Sequence, residues 1–194
     1  MGYGILLGLL SVPLLLRLLD ASGITLTFFS GATILALLSL ACACQQFLGK
    51  RKRIASGTAS AAFGLSPGQL LIFVFFLDLI DLRIVSVGLG VMWRPLFPWD
   101  ANMHWATKAK VWFDAQALVP FVDNLRWLEL GGEGVYTDHH AGYPVTTPLL
   151  QLWLSLALGH WDESLVNLPW LLCLVGLALA FYGQARAAGA SALC

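Results

Sequence analysis

Charge is scarce in this sequence: Asp, Glu, Lys and Arg make up 11% of its 194 residues, where soluble domains carry about 25%. The charge present is balanced to a formal net of zero. The excess of cations on which nucleic-acid binding depends is therefore missing, and no nucleic-acid partner is expected. Cysteine is scarce too. Cys42 and Cys44 fall in one apolar stretch, Cys173 in another, and Cys194 is the last residue. No disulfide framework is expected from them, and Cys-x-Cys without histidine is weak evidence for a metal. The N-terminal apolar run lacks a basic leader and a small-x-small cleavage site, so it is read as a retained span. Gly2 is followed by Leu6 where a myristoylation signal wants Ser or Thr, which removes a lipid anchor. No internal repeat is present.

Apolar residues are plentiful, at 58% of the chain. Runs at 5–19, 24–48, 69–77 with 84–93, 145–158 and 165–182 predict an all-α polytopic membrane protein with about five transmembrane helices. The first span, from Tyr3 to Leu19, contains Pro13 and is expected to tilt or kink. A tight turn at Asp20-Ala21-Ser22-Gly23 leads to the second span, Ile24 to Leu48. That span ends at Lys50-Arg51-Lys52-Arg53, a cluster placing this end of the hairpin (1–53) in the cytoplasm. Residues 54–93 comprise an Ala-, Ser- and Gly-rich linker and the third span, which begins after Ser66-Pro67-Gly68. Residues 94–143 form one extracytoplasmic loop carrying short interfacial helices. Residues 144–194 hold two further spans, joined by a cytoplasmic turn at Gly159–Ser164, and a tail on the outside, where Arg186 mildly opposes the charge rule.

Ionisable residues inside such a chain need a reason. Asp78, Asp81 and Arg83 lie near the middle of the third span, where charge is costly and faces a bundle interior or a polar cavity. Asp78 and Asp81 share a helix face at i, i+3, whereas Arg83 is poorly placed to meet Asp81 at i, i+2. Pairing with an arginine of this or another helix and lining a water- or ligand-filled cavity both account for them.

The second concentration is the loop, which opens Pro98-Trp99-Asp100-Ala101 and continues through Trp105 to Lys108-Ala109-Lys110. A helix is expected from Ala101 to about Leu118, lying in the headgroup region by its tryptophans. Trp105, Lys108 and Trp112 share one face, and Lys110 and Asp114 form an i, i+4 pair on another. A second short helix is expected over Val119–Leu130, with a break at Gly131-Gly132-Glu133-Gly134. Asp100 has two readings: a cap for free N–H groups at the helix start, or a general base taking a proton from an alcohol. His104, four residues on, has its own two readings: it orients that carboxylate or binds substrate, or it is an interfacial polar residue. Lys108 and Lys110 either snorkel to headgroups or, with Arg94, neutralise a phosphate. Asp138-His139-His140 and Tyr143-Pro144 close the loop. Those residue types can ligate a metal, but they make no complete set, and neither metal nor cofactor is expected.

Pro95-Leu96-Phe97-Pro98-Trp99-Asp100-Ala101, Trp105, Lys108-Ala109-Lys110, His140-x-x-Tyr143-Pro144 and Pro148-Leu149-Leu150 together resemble the amino-terminal module of the GT-C integral-membrane glycosyltransferases. The likeness covers roughly 90–158. It is closest in flavour to the bacterial branch related to protein O-mannosyltransferases and the aminoarabinose transferases of lipid A. The resemblance implies Asp100 as general base and a sugar donor on a polyprenyl-phosphate carrier. It implies substrate binding by Arg94, His104, Lys108, Lys110, Asp138, His139, His140 and Tyr143, and metal-independent inversion at the anomeric carbon. It also implies a bacterial inner membrane, with the loop outside and the bilayer and lipid-linked sugar as partners. Two features depart from that family. The motif loop follows the third predicted span rather than the first, and the chain has about five spans where members commonly have eight or more. A missing domain or partner subunit is accordingly expected. Two other function classes fit the same residues: a non-catalytic membrane subunit or lipid-binding module, and a small transporter built on Asp78, Asp81 and Arg83.

Overall fold

A computed structural model describes residues 2–50 and 66–188. Arg51–Arg53 of the basic cluster, linker residues 54–65 and Cys194 lie outside the described residues. The chain is mostly helical. Among the described residues four long helices, α1 (Gly2–Ala21), α2 (Phe28–Lys50), α3 (Pro67–Trp93) and α7 (Leu168–Ala187), carry shorter elements between them. Those are a π-helical turn (Ala101–Ala106), α4 (Thr107–Ala115), α5 (Asn124–Glu129), α6 (Thr146–Leu158) and a 3₁₀ turn (Leu165–Asn167). The two strands, β1 (Phe121–Val122) and β2 (Tyr136–Thr137), pair in parallel over two residues each.

Among the described residues three segments are long and apolar enough to cross a membrane: Gly2–Ala21, Phe28–Gln45 and Leu165–Ala187. α3 is longer still, at 27 residues, or about 40 Å of rise. It differs from the three in carrying Asp78, Asp81 and Arg83. Its start is set by a capping box: the Ser66 hydroxyl accepts from Gln69 N–H, the Gln69 side chain accepts from Ser66 N–H, and Pro67 occupies the first turn.

α1 runs unbroken through the buried Pro13 and ends in a left-handed cap. Gly23 has φ +70° and Ile24 N–H reaches back to Leu19 O at 3.0 Å, the bonding that lets glycine close a helix. Asp20 in this turn does more than the sequence indicates. Its Oδ1 accepts from Leu118 N–H at 2.8 Å, and Leu26 N–H donates to Gln116 O at 2.9 Å. The α1–α2 turn is thereby tied to the chain leaving α4.

Helix α6 differs from the fourth span expected over 144–158. Its 13 residues rise about 20 Å, short of the roughly 30 Å of hydrocarbon. The following turn comes back to the loop: Leu96 N–H donates to Glu163 O at 3.1 Å, and Leu96, Ala106 and Val166 make a small buried cluster flanked by Trp161. Asp162 starts the 3₁₀ turn by accepting from Ser164 and Leu165 N–H. The core explains the short helix. Leu149, Leu150, Leu152 and Leu156 of α6 pack on Val12, Leu16 and Leu19 of α1 and on Trp112 of α4. α6 is a buried strut under the loop.

The ends of the long helices are consistent with this. A Cβ on Gly2 would stand 2.2 Å from Ala180 N, and one on Gly176 would stand 3.1 Å from Ile5 and Leu6 side chains. The start of α1 thus lies against the second half of α7, and the two run antiparallel with backbones close together, as small residues permit. α3 also packs on α7. The short elements between Arg94 and Asn167 gather where α1 and α3 end and α7 begins.

Candidate functional site

The segment after α3 opens its helix loosely, with the π-helical turn over Ala101–Ala106. Thr107 N–H donates to Asn102 O, five residues back, the bonding of a π turn, which widens a helix and is frequent at functional sites. The Asn102 side chain donates to Leu96 O at 2.9 Å, and the Thr107 hydroxyl donates to Asn102 O at 2.7 Å. Regular α geometry resumes at Thr107 and ends at Gln116, which takes a left-handed φ of +52°. The sequence predicts one helix over 101–118. The structure splits it into these two parts.

Across from α4, the loop is built by β1, α5 and β2. Asp123 caps α5 by accepting from Leu125 and Arg126 N–H, and the strand pairing puts β2 beside β1. This replaces the single helix expected over 119–130. The break after α5 is a left-handed turn, with Gly131, Gly132 and Gly134 at φ +65°, +73° and +68°, angles that favour glycine. Strand β2 then delivers Asp138 to α4.

Asp138 is the centre of the site. His104 Nδ1 lies 2.7 Å from Asp138 Oδ1, and His140 N–H donates to the same oxygen at 3.0 Å. Because a carboxylate oxygen accepts, Nδ1 carries the proton of that contact and Nε2 is the other polar atom of the ring. Oδ2 has no well-aligned hydrogen bond but stands 2.6 Å from the Lys108 ammonium. Lys108 also donates to His140 O at 3.3 Å and lies 5.7 Å from the centre of the Phe121 ring. All three side chains are buried, with Lys108 at 1%, His104 at 4% and Asp138 at 6% exposure. Burial is the largest single influence on Asp138 and favours its neutral form. The Lys108 ammonium, the His140 N–H and the His104 ring act the other way and together prevail, holding the carboxyl below its ordinary value.

An aromatic layer covers this cluster. His140 and Tyr143 stack with ring centres 4.5 Å apart and planes at 10°. His104 meets both edge-on, and Trp99 meets it edge-on with ring centres 5.6 Å apart. His140 and Tyr143 remain exposed.

Of the predicted site residues, then, His104, Lys108, Asp138, His140 and Tyr143 come together. Asp100 does not join them by contact. It is exposed, sits at helical φ and ψ, and its side chain makes no capping hydrogen bond, so the capping expectation fails. His104 bonds Asp138 rather than orienting Asp100. Arg94, Lys110 and His139 are exposed, and among the described residues none of them makes an ion pair. The expected Lys110–Asp114 pair is not formed among the described residues either. Arg94 borders two open depressions of about 280 and 450 Å³ at the end of α3, the larger bounded also by Pro95, Phe97 and Ala101. Trp93, Phe97 and Trp99 around it are 74%, 90% and 65% exposed, a large apolar surface for a loop. Sequence reasoning missed Phe121, which flanks Lys108, and Asn102, which fastens the π turn; only the aromatic character of Phe121 hinted at either. Among the described residues no group of His, Cys, Asp and Glu is arranged to hold a metal.

Comparison with family models, curated proteins and solved structures returns no match.

Proposed function

We propose that this chain is a glycosyltransferase-like membrane module, moving a sugar from a polyprenyl-phosphate carrier to an acceptor hydroxyl at the extracytoplasmic face of a bacterial inner membrane. The supporting observation is the buried Lys108–Asp138–His104 cluster. It fastens the His139–Tyr143 segment onto the helix bearing the Asp100 and Lys108-Ala109-Lys110 motifs, two parts of the resemblance that lie 30 residues and more apart. Asp100 and Arg94 stay exposed beside a shelf of aromatic side chains suited to a lipid-linked donor.

In this reaction the acceptor O–H gives its proton to the Asp100 carboxylate as its oxygen attacks the anomeric carbon. The bond from that carbon to the phosphate oxygen breaks, the carrier phosphate leaves with the electron pair, and the configuration inverts. Arg94 and Lys110 are the cations free to meet the growing negative charge on the phosphate. Lys108 has a different task, because its ammonium is held by Asp138: it positions the loop. Four crossings, by α1, α2, α3 and α7, accommodate this arrangement. They place Lys50 and Arg186 at the same end, in agreement with the charge rule. They also leave the loop and the α1–α2 turn together, as the Asp20–Leu118 hydrogen bond requires.

A second reading is favoured by the wide exposure of α2 and α3: a lipid-binding subunit without chemistry of its own. Both are tested by placing the purified chain in nanodiscs with radiolabelled polyprenyl-phosphate sugars and an acceptor mixture. Binding with transfer, and loss of transfer alone in Asp100→Asn, supports the transferase. Binding without transfer in either form supports the subunit. No binding by folded protein sinks both.

A further inference from the structure

Helix α3 has an acidic face that the described residues leave open. Among the residues of α3 only Val91 is buried. The helix touches α7 and the 3₁₀ turn, and Gly88 faces Leu171. Where α3 meets α7 there is a groove of about 620 Å³, walled by apolar side chains such as Phe76, Ile80, Val175 and Leu179. Asp81 is the one charged residue on its lining. Asp78 lies one turn before Asp81, and both are exposed. Among the described residues neither makes an ion pair or hydrogen bond, and the same is true of Arg83.

A membrane-crossing α3 cannot keep this face against lipid. Ionisable groups at such depth face a bundle interior, a wet cavity or an opposite charge. The positions around the helix say which. At about 100° per residue, Asp78 and Asp81 are about 60° apart and form one edge, while Arg83 points about 170° from their mean direction. Arg83 therefore cannot neutralise them. A two-fold pair of α3 helices joined at this face would also set acids against acids, since such contacts repeat the same patch. Among the described residues, what the face lacks is a cation at mid-helix depth on an otherwise apolar surface.

We propose that the α3–α7 groove is the docking site of a transmembrane helix from another polypeptide, one that carries a single lysine or arginine near its middle and sets it against Asp81 and Asp78. The apolar walls hold the partner's flanking side chains, and the paired charge selects this partner over a plain apolar helix. Ala178, a small side chain on the α7 wall of the groove, allows close approach. The inference needs α3 to cross the membrane but is independent of the catalytic reading.

The test uses the full chain in liposomes with synthetic transmembrane peptides: a leucine-rich helix with one central lysine, and the same helix with leucine there. Association is read by energy transfer from labelled peptide to labelled protein. The lysine peptide is expected to bind about tenfold or more tightly than the leucine peptide, with the difference abolished by Asp78→Asn combined with Asp81→Asn. Circular dichroism and the unfolding midpoint establish that the variant is folded; where the double change unfolds, Asp81→Asn alone replaces it. Equal binding of both peptides, no binding of the lysine peptide, or a preference that survives the asparagines would overturn the proposal. So would energy transfer between differently labelled copies of the chain that the asparagines abolish, because the face would then belong to a second copy.

Discussion

The Lys108 ammonium stands 2.6 Å from Asp138 Oδ2 with both side chains all but removed from solvent. An ion pair at this burial is a matter of mutual dependence: either partner alone would be a desolvated, uncompensated charge. Truncation of Lys108 to alanine is therefore expected to cost about 3–5 kcal/mol, measured by denaturant titration in detergent micelles. Asp138→Asn on the Lys108→Ala background should restore part of that loss, because it removes the orphaned carboxylate. Additive losses in the double variant would show that the two residues act separately.

Acid should loosen the same joint. Asp138 has a folded pKa below its unfolded value of about 3.9. A depressed carboxylate contributes stability that is fully present above the unfolded pKa and is lost as pH falls through the folded one. The wild-type unfolding midpoint should drop between about pH 4 and the acid limit more steeply than that of Asp138→Asn. Parallel profiles would mean that the Asp138 carboxyl is not the group responsible.

The contrast between what was legible and what was not follows from distance along the chain. The α3 boundaries and the Asp20–Gly23 turn are local, carried by Ser66-Pro67-Gly68 before an apolar run and by a glycine cap, and both stand where the sequence puts them. The partnership of His104 with Asp138 joins residues 34 positions apart, so no spacing rule reaches it. Lys108 was legible as a cation beside tryptophans but not as a buried one, because burial depends on β2 arriving opposite α4. The run at 145–158 is apolar enough to resemble a span; its apolar side chains are satisfied instead by α1 and Trp112. Hydropathy counts those residues without seeing what covers them.

The hydrogen bond from Leu118 N–H to Asp20 Oδ1 ties the end of α1 to the chain leaving α4 from nearly a hundred residues away. Asp20→Ala is expected to cost about 1 kcal/mol, whereas Asp20→Asn, which keeps an acceptor oxygen, should retain most of the stability. Equal losses from both would place the effect in the carboxylate's charge rather than in the bond.

Glycine at 31 has a packing reason. A Cβ there would come within 2.6 Å of the Trp153 indole, which itself meets Phe28 at 5.1 Å. Gly31→Val should destabilise by about 1–3 kcal/mol through overpacking. Gly4→Val, on a position with open space around it, is the matched control and should change little. Similar losses at both positions would attribute the effect to valine in a helix, not to Trp153.

The two carboxylates of the loop should separate by experiment. Asp100 is exposed and its side chain caps nothing, so Asp100→Asn should leave stability within about 0.5 kcal/mol of wild type. Should Asp100 act as general base, the same change lowers transfer by about 10²–10⁴-fold with donor binding unchanged. Asp138→Asn behaves differently on the present geometry: it keeps an acceptor oxygen for His104 and the His140 N–H but leaves the buried Lys108 ammonium without its counter-charge, so stability, donor binding and transfer decline in step. The deciding measurement is the pair of ratios, transfer per folded molecule and donor affinity per folded molecule, for each variant. A fall in stability for Asp100→Asn equal to that of Asp138→Asn would make Asp100 a fold element and remove it from the chemistry. Loss of transfer confined to Asp100→Asn would assign proton transfer to the exposed carboxylate and loop positioning to the buried one.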